Sequence, residues 1–136
     1  MKTYVVIGLG RFGTAVAAEL CKLGHEVLAI DGDEGRVQAI ADHVTHAVTG
    51  DARDPAVLRA RLGEADYLLL SSASGVDFLL DAGAALPPSL TCVCIGPVTA
   101  KALAVRSTAP FLTAPNISAE SVVQTLADHA AQSGRI

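Results

Sequence analysis

Six short apolar runs, "TYVVIGLG", "HEVLAID", "THAVTGD", "ADYLLLSS", "LTCVCIG" and "APFLTAP", are strung along this chain, each followed by a helical pattern. This alternation constrains the fold more than any other feature. Parallel strands need a crossover long enough to hold a helix, so strand–helix repeats of this kind build α/β layers. The run "ADYLLLSS" is apolar without alternation, as a central parallel strand covered on both faces should be. The reading is an α/β, doubly wound parallel sheet with strand order 3-2-1-4-5-6 and right-handed crossovers. A ligand crevice then opens at the C-terminal ends of strands 1 and 4.

The helical stretches carry their own punctuation. Phe12, Val16, Ala17, Leu20 and Leu23 recur at helical spacing, and Gly24 stands at C′, where positive φ costs little. In "DEGRVQAIADH" the inward positions are Val37, Ile40 and Ala41. The segment "DPAVLRARLG" offers Asp54 as N-cap, Pro55 at N1 and Gly63 as the stop. Val76, Leu79 and Leu80 mark a helix that ends before "LPPS", and Pro97 opens another in "PVTAKALAVR". Prolines at both ends of "APFLTAP" suit an edge strand. The closing helix, "SAESVVQTLADHAAQ", has Ser118 as N-cap and Glu120 facing the positive dipole end.

At 136 residues the chain suits one domain spanning 1–136. A hydrophobic share of 51% with 18% charged residues argues against disorder. No apolar run approaches the roughly 18 residues that span a bilayer, and "MKTYVVIGLG" lacks the features of a signal peptide. Both point to a cytoplasmic protein without membrane insertion. A net charge of −4 and 4% aromatic residues exclude a nucleic-acid footprint. Cys92 and Cys94 are two apart on one strand, which makes them core rather than metal ligands or a bridge. His25, His43, His46 and His129 are scattered and form no catalytic constellation, so the reading is of a monomer with neither enzymatic activity nor a metal.

"GLGRFG", Gly8 to Gly13, matches G-x-G-x-x-G directly after a strand and at a helix start. Gly8 permits the tight turn, Gly10 lets a pyrophosphate approach the backbone, and Gly13 lets the helix pack close to the strand. The helix N-terminus then offers its N–H groups and dipole to phosphates. Asp31 ends the second strand, where an acid accepts hydrogen bonds from adenosine ribose and repels a 2′-phosphate. NAD(H) or another adenine nucleotide is therefore favoured over NADP, in a Rossmann-like sheet.

At these residues a family likeness emerges. The segment from Thr3 to Leu70, with Arg11 and Phe12 inside the glycine loop, the acid at Asp31 and "THAVTGDARDP" in order, resembles the N-terminal part of the nucleotide-binding RCK/KTN domain. Such domains regulate potassium channels and transporters of the Trk and Ktr type. The resemblance implies that Arg11 neighbours the phosphates, that Asp31 holds the ribose, and that Asp51 and Ala52 border the adenine. Asp33 is a second acid near the ribose, read more simply as a solvated loop carboxylate.

Beyond Leu70 the vocabulary changes. Residues 1–70 hold 7 Lys/Arg and 10 Asp/Glu, against 3 and 4 in residues 71–136. "SSASGVDFLL", "VCIGPVTAKAL" and "NISAESVVQTLADH" resemble a uroporphyrinogen-III synthase (HemD-like) half-domain over residues 70–132. Ser71, Ser72, Ser74, Gly96, Pro97 and Thr99 sit at helix starts of the kind that bind anions, though plain capping accounts for them as well. In that enzyme such turns line a cleft between two domains, so half of it should not turn over substrate. The leading expectation is an engineered chimera of the two segments, a Rossmann-like or flavodoxin-like scaffold with no native task. It would retain weak adenine (di)nucleotide binding or no ligand at all. The alternative is a natural NAD(H)- or ATP-binding regulatory module of a potassium uptake system; a synthase-like enzyme comes last.

Overall fold

The apolar runs become strands β1 (Thr3–Ile7), β2 (Glu26–Asp31), β3 (His46–Thr49), β4 (Tyr67–Leu70), β5 (Thr91–Ile95) and β6 (Phe111–Ala114). They form one sheet in the order 3-2-1-4-5-6, with every neighbouring pair parallel. Helices α1 (Arg11–Lys22), α2 (Glu34–Ile40), α3 (Pro97–Arg106) and α4 (Ala119–Gln132) alternate with them. The computed structural model describes residues 2–49, 62–71, 76–77, 80, 90–106, 111–114 and 119–132, with the backbone alone at Arg11, Ala119, Ala130 and Gln132.

The pleat sends alternate residues of each strand to opposite faces. Tyr4, Val6, Ala29, Leu69 and Val93 face one core, which Val16 and Leu20 of α1, Val37 and Ile40 of α2, and Val122 and Leu126 of α4 complete. Val5, Ile7, Leu28, Leu68, Leu70, Cys92 and Cys94 face the other, closed by Leu62, Val76 and Leu103 of α3. β4 is buried along its whole length, as its unbroken apolar sequence requires. It pairs with β1 on one side, Ile7 opposite Leu70, and with β5 on the other, Leu70 opposite Cys94. The stretch before the change of vocabulary thus shares one core with the stretch after it.

Asp66 ties the N-terminal ends of three strands together. Its N–H donates to the Thr3 carbonyl at 2.8 Å, and its carbonyl accepts from the Thr91 N–H at 3.1 Å. Its carboxylate also accepts from the Thr3 N–H at 2.9 Å.

α1 ends as the sequence reads. Gly24 has φ 90°, its N–H donates to the Cys21 carbonyl, and the His25 N–H donates to the Leu20 carbonyl, which together make a Schellman motif. α3 covers "PVTAKALAVR" as read, and β6 lies at an edge. Four readings need correction. Phe12 and Leu23 are 39% and 52% exposed rather than inward, because they flank the buried stripe of Val16, Ala17 and Leu20. Ala41 is exposed because α2 tightens there into a 3₁₀ turn, Ala41–His43. Gly63 does not stop its helix: residues 62–64 are helical and the turn closes from the Ala65 N–H to the Leu62 carbonyl. Thr99 is buried at 3% exposure and does not present its hydroxyl at the surface. Asp54, Pro55, Ser72, Ser74, Leu79 and Ser118 lie outside the described residues, so the roles read for them are not placed.

Candidate functional site: the glycine turn between β1 and α1

The turn starts where β1 stops. Gly8 takes φ 97°, a region that an L side chain rarely adopts, and its N–H donates to the Ile30 carbonyl of β2 at 2.9 Å. Leu9 is buried at 2% exposure and roots the turn in the core. Gly10 is the N-cap of α1, with no side-chain cap, and its carbonyl receives the first helical bond from the Thr14 N–H at 3.0 Å. The amides of residues 11–13 have no acceptor within the helix. A Cβ on Gly10 would meet nothing within 4 Å among the described residues.

Gly13 is constrained in the opposite way. A Cβ there would stand 1.9 Å from the Gly8 carbonyl oxygen and 3.3 Å from Ser71 Oγ. The helix therefore sits on the turn as closely as a glycine allows. The Thr14 hydroxyl adds a bond to the Leu9 carbonyl at 3.1 Å.

Asp31, the last residue of β2, reaches across to this turn. One carboxylate oxygen accepts from the Leu9 N–H at 2.6 Å and the other from the Asp33 N–H at 2.7 Å. Arg36 lies 3.7 Å from Asp31 and 3.9 Å from Asp33. A carboxylate has about four lone-pair sites, so two amide donors leave capacity for ligand hydroxyls. Asp33 has a defined task that the sequence reading missed: it caps α2, accepting from the Gly35 and Arg36 N–H groups. The signal was present, an Asp immediately ahead of a helical run.

Of the residues singled out beforehand, Gly8, Gly10, Gly13 and Asp31 therefore meet in one place. Arg11 and Phe12 open α1 beside them, with Phe12 at the surface. Asp51, Ala52 and the side chain of Arg11 lie outside the described residues. A second cluster, unforeseen, forms at the opposite end of the sheet. Tyr4 and Tyr67 stack at 5.1 Å, with the His25 and His129 rings edge-on to them. Tyr67 Oη lies 3.1 Å from His129 Nδ1. Burial, with Tyr67 and Asp66 nearby, pushes the Tyr4 hydroxyl up to about 12. Its members lie on β1, β4, α4 and the loop before β2, so sequence spacing gave no sign of it. Among the described residues no cluster of His, Cys, Asp or Glu is placed to hold a metal ion, and no helix is long and apolar enough to cross a membrane.

The TrkA-N domain profile matches residues 4–80, more than half of the sequence. The chain belongs to the TrkA-N family. By the same measure it belongs, over residues 45–124, to the uroporphyrinogen-III synthase HemD family, and the two matches share residues 45–80. Ktr system potassium uptake protein A of Bacillus subtilis is 51% identical over 53 residues, which is 39% of this chain and 24% of that protein. Its namesake from Vibrio alginolyticus is 36% identical over 77 residues, 56% of this chain and 35% of that protein. The chain thus spans only about a quarter to a third of the length of these relatives.

Among solved structures, the NAD(P)-binding domain of an exopolyphosphatase-related protein from Archaeoglobus fulgidus superposes with a TM-score of 0.63 at 20% identity. The match covers 97% of this chain and 99% of that one. The TrkA-N domain of an Escherichia coli inner membrane protein gives 0.61 at 17% identity, over 94% and 96%. At these identities the structures establish the Rossmann-like fold. None of these comparisons marks the chain as engineered, and they favour the regulatory-module reading over the scaffold without a task.

Proposed function

We propose that this TrkA-N chain is a nucleotide-responsive regulatory module for potassium uptake, binding NAD(H) or a related adenine nucleotide at the β1–α1 turn. The observation that carries this is the uncapped α1 N-terminus at Gly10, with the Asp31 carboxylate beside it. Phosphates would lie against the backbone from Gly10 to Thr14, where amide donors and the helix dipole favour negative charge. The ribose hydroxyls would donate to the remaining lone pairs of Asp31. Gly8 and Gly13 shape the turn, and Phe12 lies beside the phosphates.

The module acts by binding and not by turnover, as a single cytoplasmic domain over residues 1–136. The named relatives are potassium uptake proteins, and an adenine nucleotide is the signal that such a crevice reads. The HemD-family stretch takes in β3, β4, β5, α3 and β6 and reaches the start of α4, and no synthase activity accompanies it. Isothermal titration with NADH, ATP, ADP and AMP tests the proposal. Saturable binding at or below millimolar concentration supports it, and no heat from any of the four removes it.

A further inference from the structure

The Gly8–Leu9 peptide is held at both of its polar ends. Its N–H, on Leu9, donates to Asp31 Oδ2 at 2.6 Å. Its carbonyl, on Gly8, accepts from the Ser71 hydroxyl at 2.9 Å, a proton shared with the Ile7 carbonyl at 3.2 Å. Asp31 comes from the end of β2 and Ser71 from just beyond β4, so the two strands flanking β1 grip one peptide from opposite sides. We propose that Ser71 is a positioning residue for the nucleotide site, acting through this peptide.

A glycine at φ 97° has no Cβ to set the peptide plane that follows it. The local chain therefore does not fix the direction of the Gly8 carbonyl, and outside partners must. That direction matters because the oxygen lies directly beneath Gly13, where a Cβ would meet it at 1.9 Å. A rotated peptide would drive the carbonyl into the first turn of α1 or bring its partial negative charge toward the phosphate-facing side. Asp31 is a shared anchor, since the same carboxylate holds the Asp33 N–H and would take the ribose hydroxyls on its remaining lone pairs. Ser71 gives its one proton to the Gly8 and Ile7 carbonyls. It keeps the Gly8 carbonyl satisfied and directed inward while Asp31 also serves the ligand. Alanine at this position would leave a half-buried carbonyl with one partner fewer, and the turn less preorganised.

This inference rests on the nucleotide reading, and its test separates the two. Leu9 amide exchange without ligand reports on the peptide itself, and titration with ADP and with adenosine, followed by amide resonances, reports on binding. In Ser71→Ala the Leu9 amide should exchange about three- to tenfold faster relative to the β1 amides. ADP affinity should fall by a similar factor and that of adenosine by less than about twofold, while Ser71→Thr, which keeps the hydroxyl, should hold close to wild type. Unchanged Leu9 exchange in Ser71→Ala overturns the proposal, and so does an equal loss for ADP and adenosine. If wild type binds neither ligand, the nucleotide reading fails while the exchange measurement still decides the peptide lock. Should Ser71→Ala not fold, Ser71→Thr decides: wild-type Leu9 protection supports the lock, and its loss overturns it.

Discussion

The turns after β1 and β5 begin alike. Each strand runs into a glycine of positive φ, Gly8 at 97° and Gly96 at 89°, and each leads to a helix N-terminus. After Gly8 the chain takes two further residues before α1 starts, whereas α3 starts at once with Pro97. In the longer turn the first helical bond goes to Gly10, and in the shorter one to buried Gly96, from the Ala100 N–H at 3.2 Å. Pro97 has no N–H, so α3 lacks one of its first-turn donors, and Thr99 is buried. The β2 acid that reaches the first turn completes the contrast. A strand-end glycine reverses the chain in both places; a phosphate site also needs the extra length, free amides and a neighbouring carboxylate.

The largest test of this contrast is steric. Gly13→Ala puts a methyl 1.9 Å from the Gly8 carbonyl, and because the clash is with backbone, α1 must lift off the turn. Overpacking of this kind costs about 3 kcal/mol, or roughly 10 °C in melting temperature for a domain of this size. Gly24→Ala, whose methyl would meet nothing within 4 Å, carries only the positive-φ cost, about 1–2 kcal/mol. If Gly13→Ala melts no lower than Gly24→Ala, the close seating of α1 is wrong.

Next comes affinity. Asp31→Ala removes charge-assisted hydrogen bonds of about 1.5–3 kcal/mol, so ADP and NADH should bind about ten- to a hundredfold more weakly. Because Asp31 also holds the Leu9 and Asp33 amides, the melting temperature should fall as well. Gly10→Ala separates binding from folding: the methyl meets nothing within 4 Å among the described residues, so stability should stay within about 0.5 kcal/mol while nucleotide affinity falls. Val98→Ser, on the exposed start of α3, should alter neither. Equal nucleotide affinity in wild type and Asp31→Ala would move the ligand away from the β1–α1 turn.

The order of strands and the glycine turn were legible because each rests on a local pattern. Unbroken apolar runs separated by helices specify a parallel sheet, and three glycines at fixed spacing specify a turn that few other residues could build. What the sequence hid depends on contacts between distant residues. Nothing near Ser71 shows that its hydroxyl will land on Gly8, since that follows from β4 lying beside β1. The exposure of Phe12 and Leu23 was hidden too, because helical spacing marks a stripe without marking its edges. The expectation of an engineered junction treated Leu70 as a boundary, whereas residues 45–80 answer to both families.

A smaller effect distinguishes the thiols of the two halves. Burial pushes Cys92 up to about 11, and burial with Cys92 nearby pushes Cys94 up to about 12. Both are in the core, whereas Cys21 of α1 is only partly buried. The thiolate is the reactive form, so a disulfide reagent at neutral pH should modify Cys21 first and the other two only as the protein unfolds. Rapid labelling of all three would show that the β5 core is looser than its packing implies.

The smallest expected effect lies at the other end of the sheet from the glycine turn. His25 Nδ1 accepts from the Lys2 N–H at 3.2 Å, which requires that nitrogen to be unprotonated, and its ring packs edge-on to Tyr4. Burial first, then the positive charges of the amino terminus and Lys2, hold its pKa below the ordinary 6.5. The unfolded chain therefore takes up the proton at a higher pH than the folded one does. The stability linked to this group is full above about pH 6.5 and is lost as the pH falls from there toward the lower folded value. His25→Gln removes the titration while keeping a polar side chain that can accept the Lys2 N–H. Thermal melts between pH 7.5 and 5.5 should show wild type losing more stability on acidification than His25→Gln, whereas nucleotide affinity should be the same in both at pH 7.5. Identical acid profiles would mean that the ring is as solvated in the folded chain as in the unfolded one. Weaker nucleotide binding by His25→Gln would couple the two ends of the sheet.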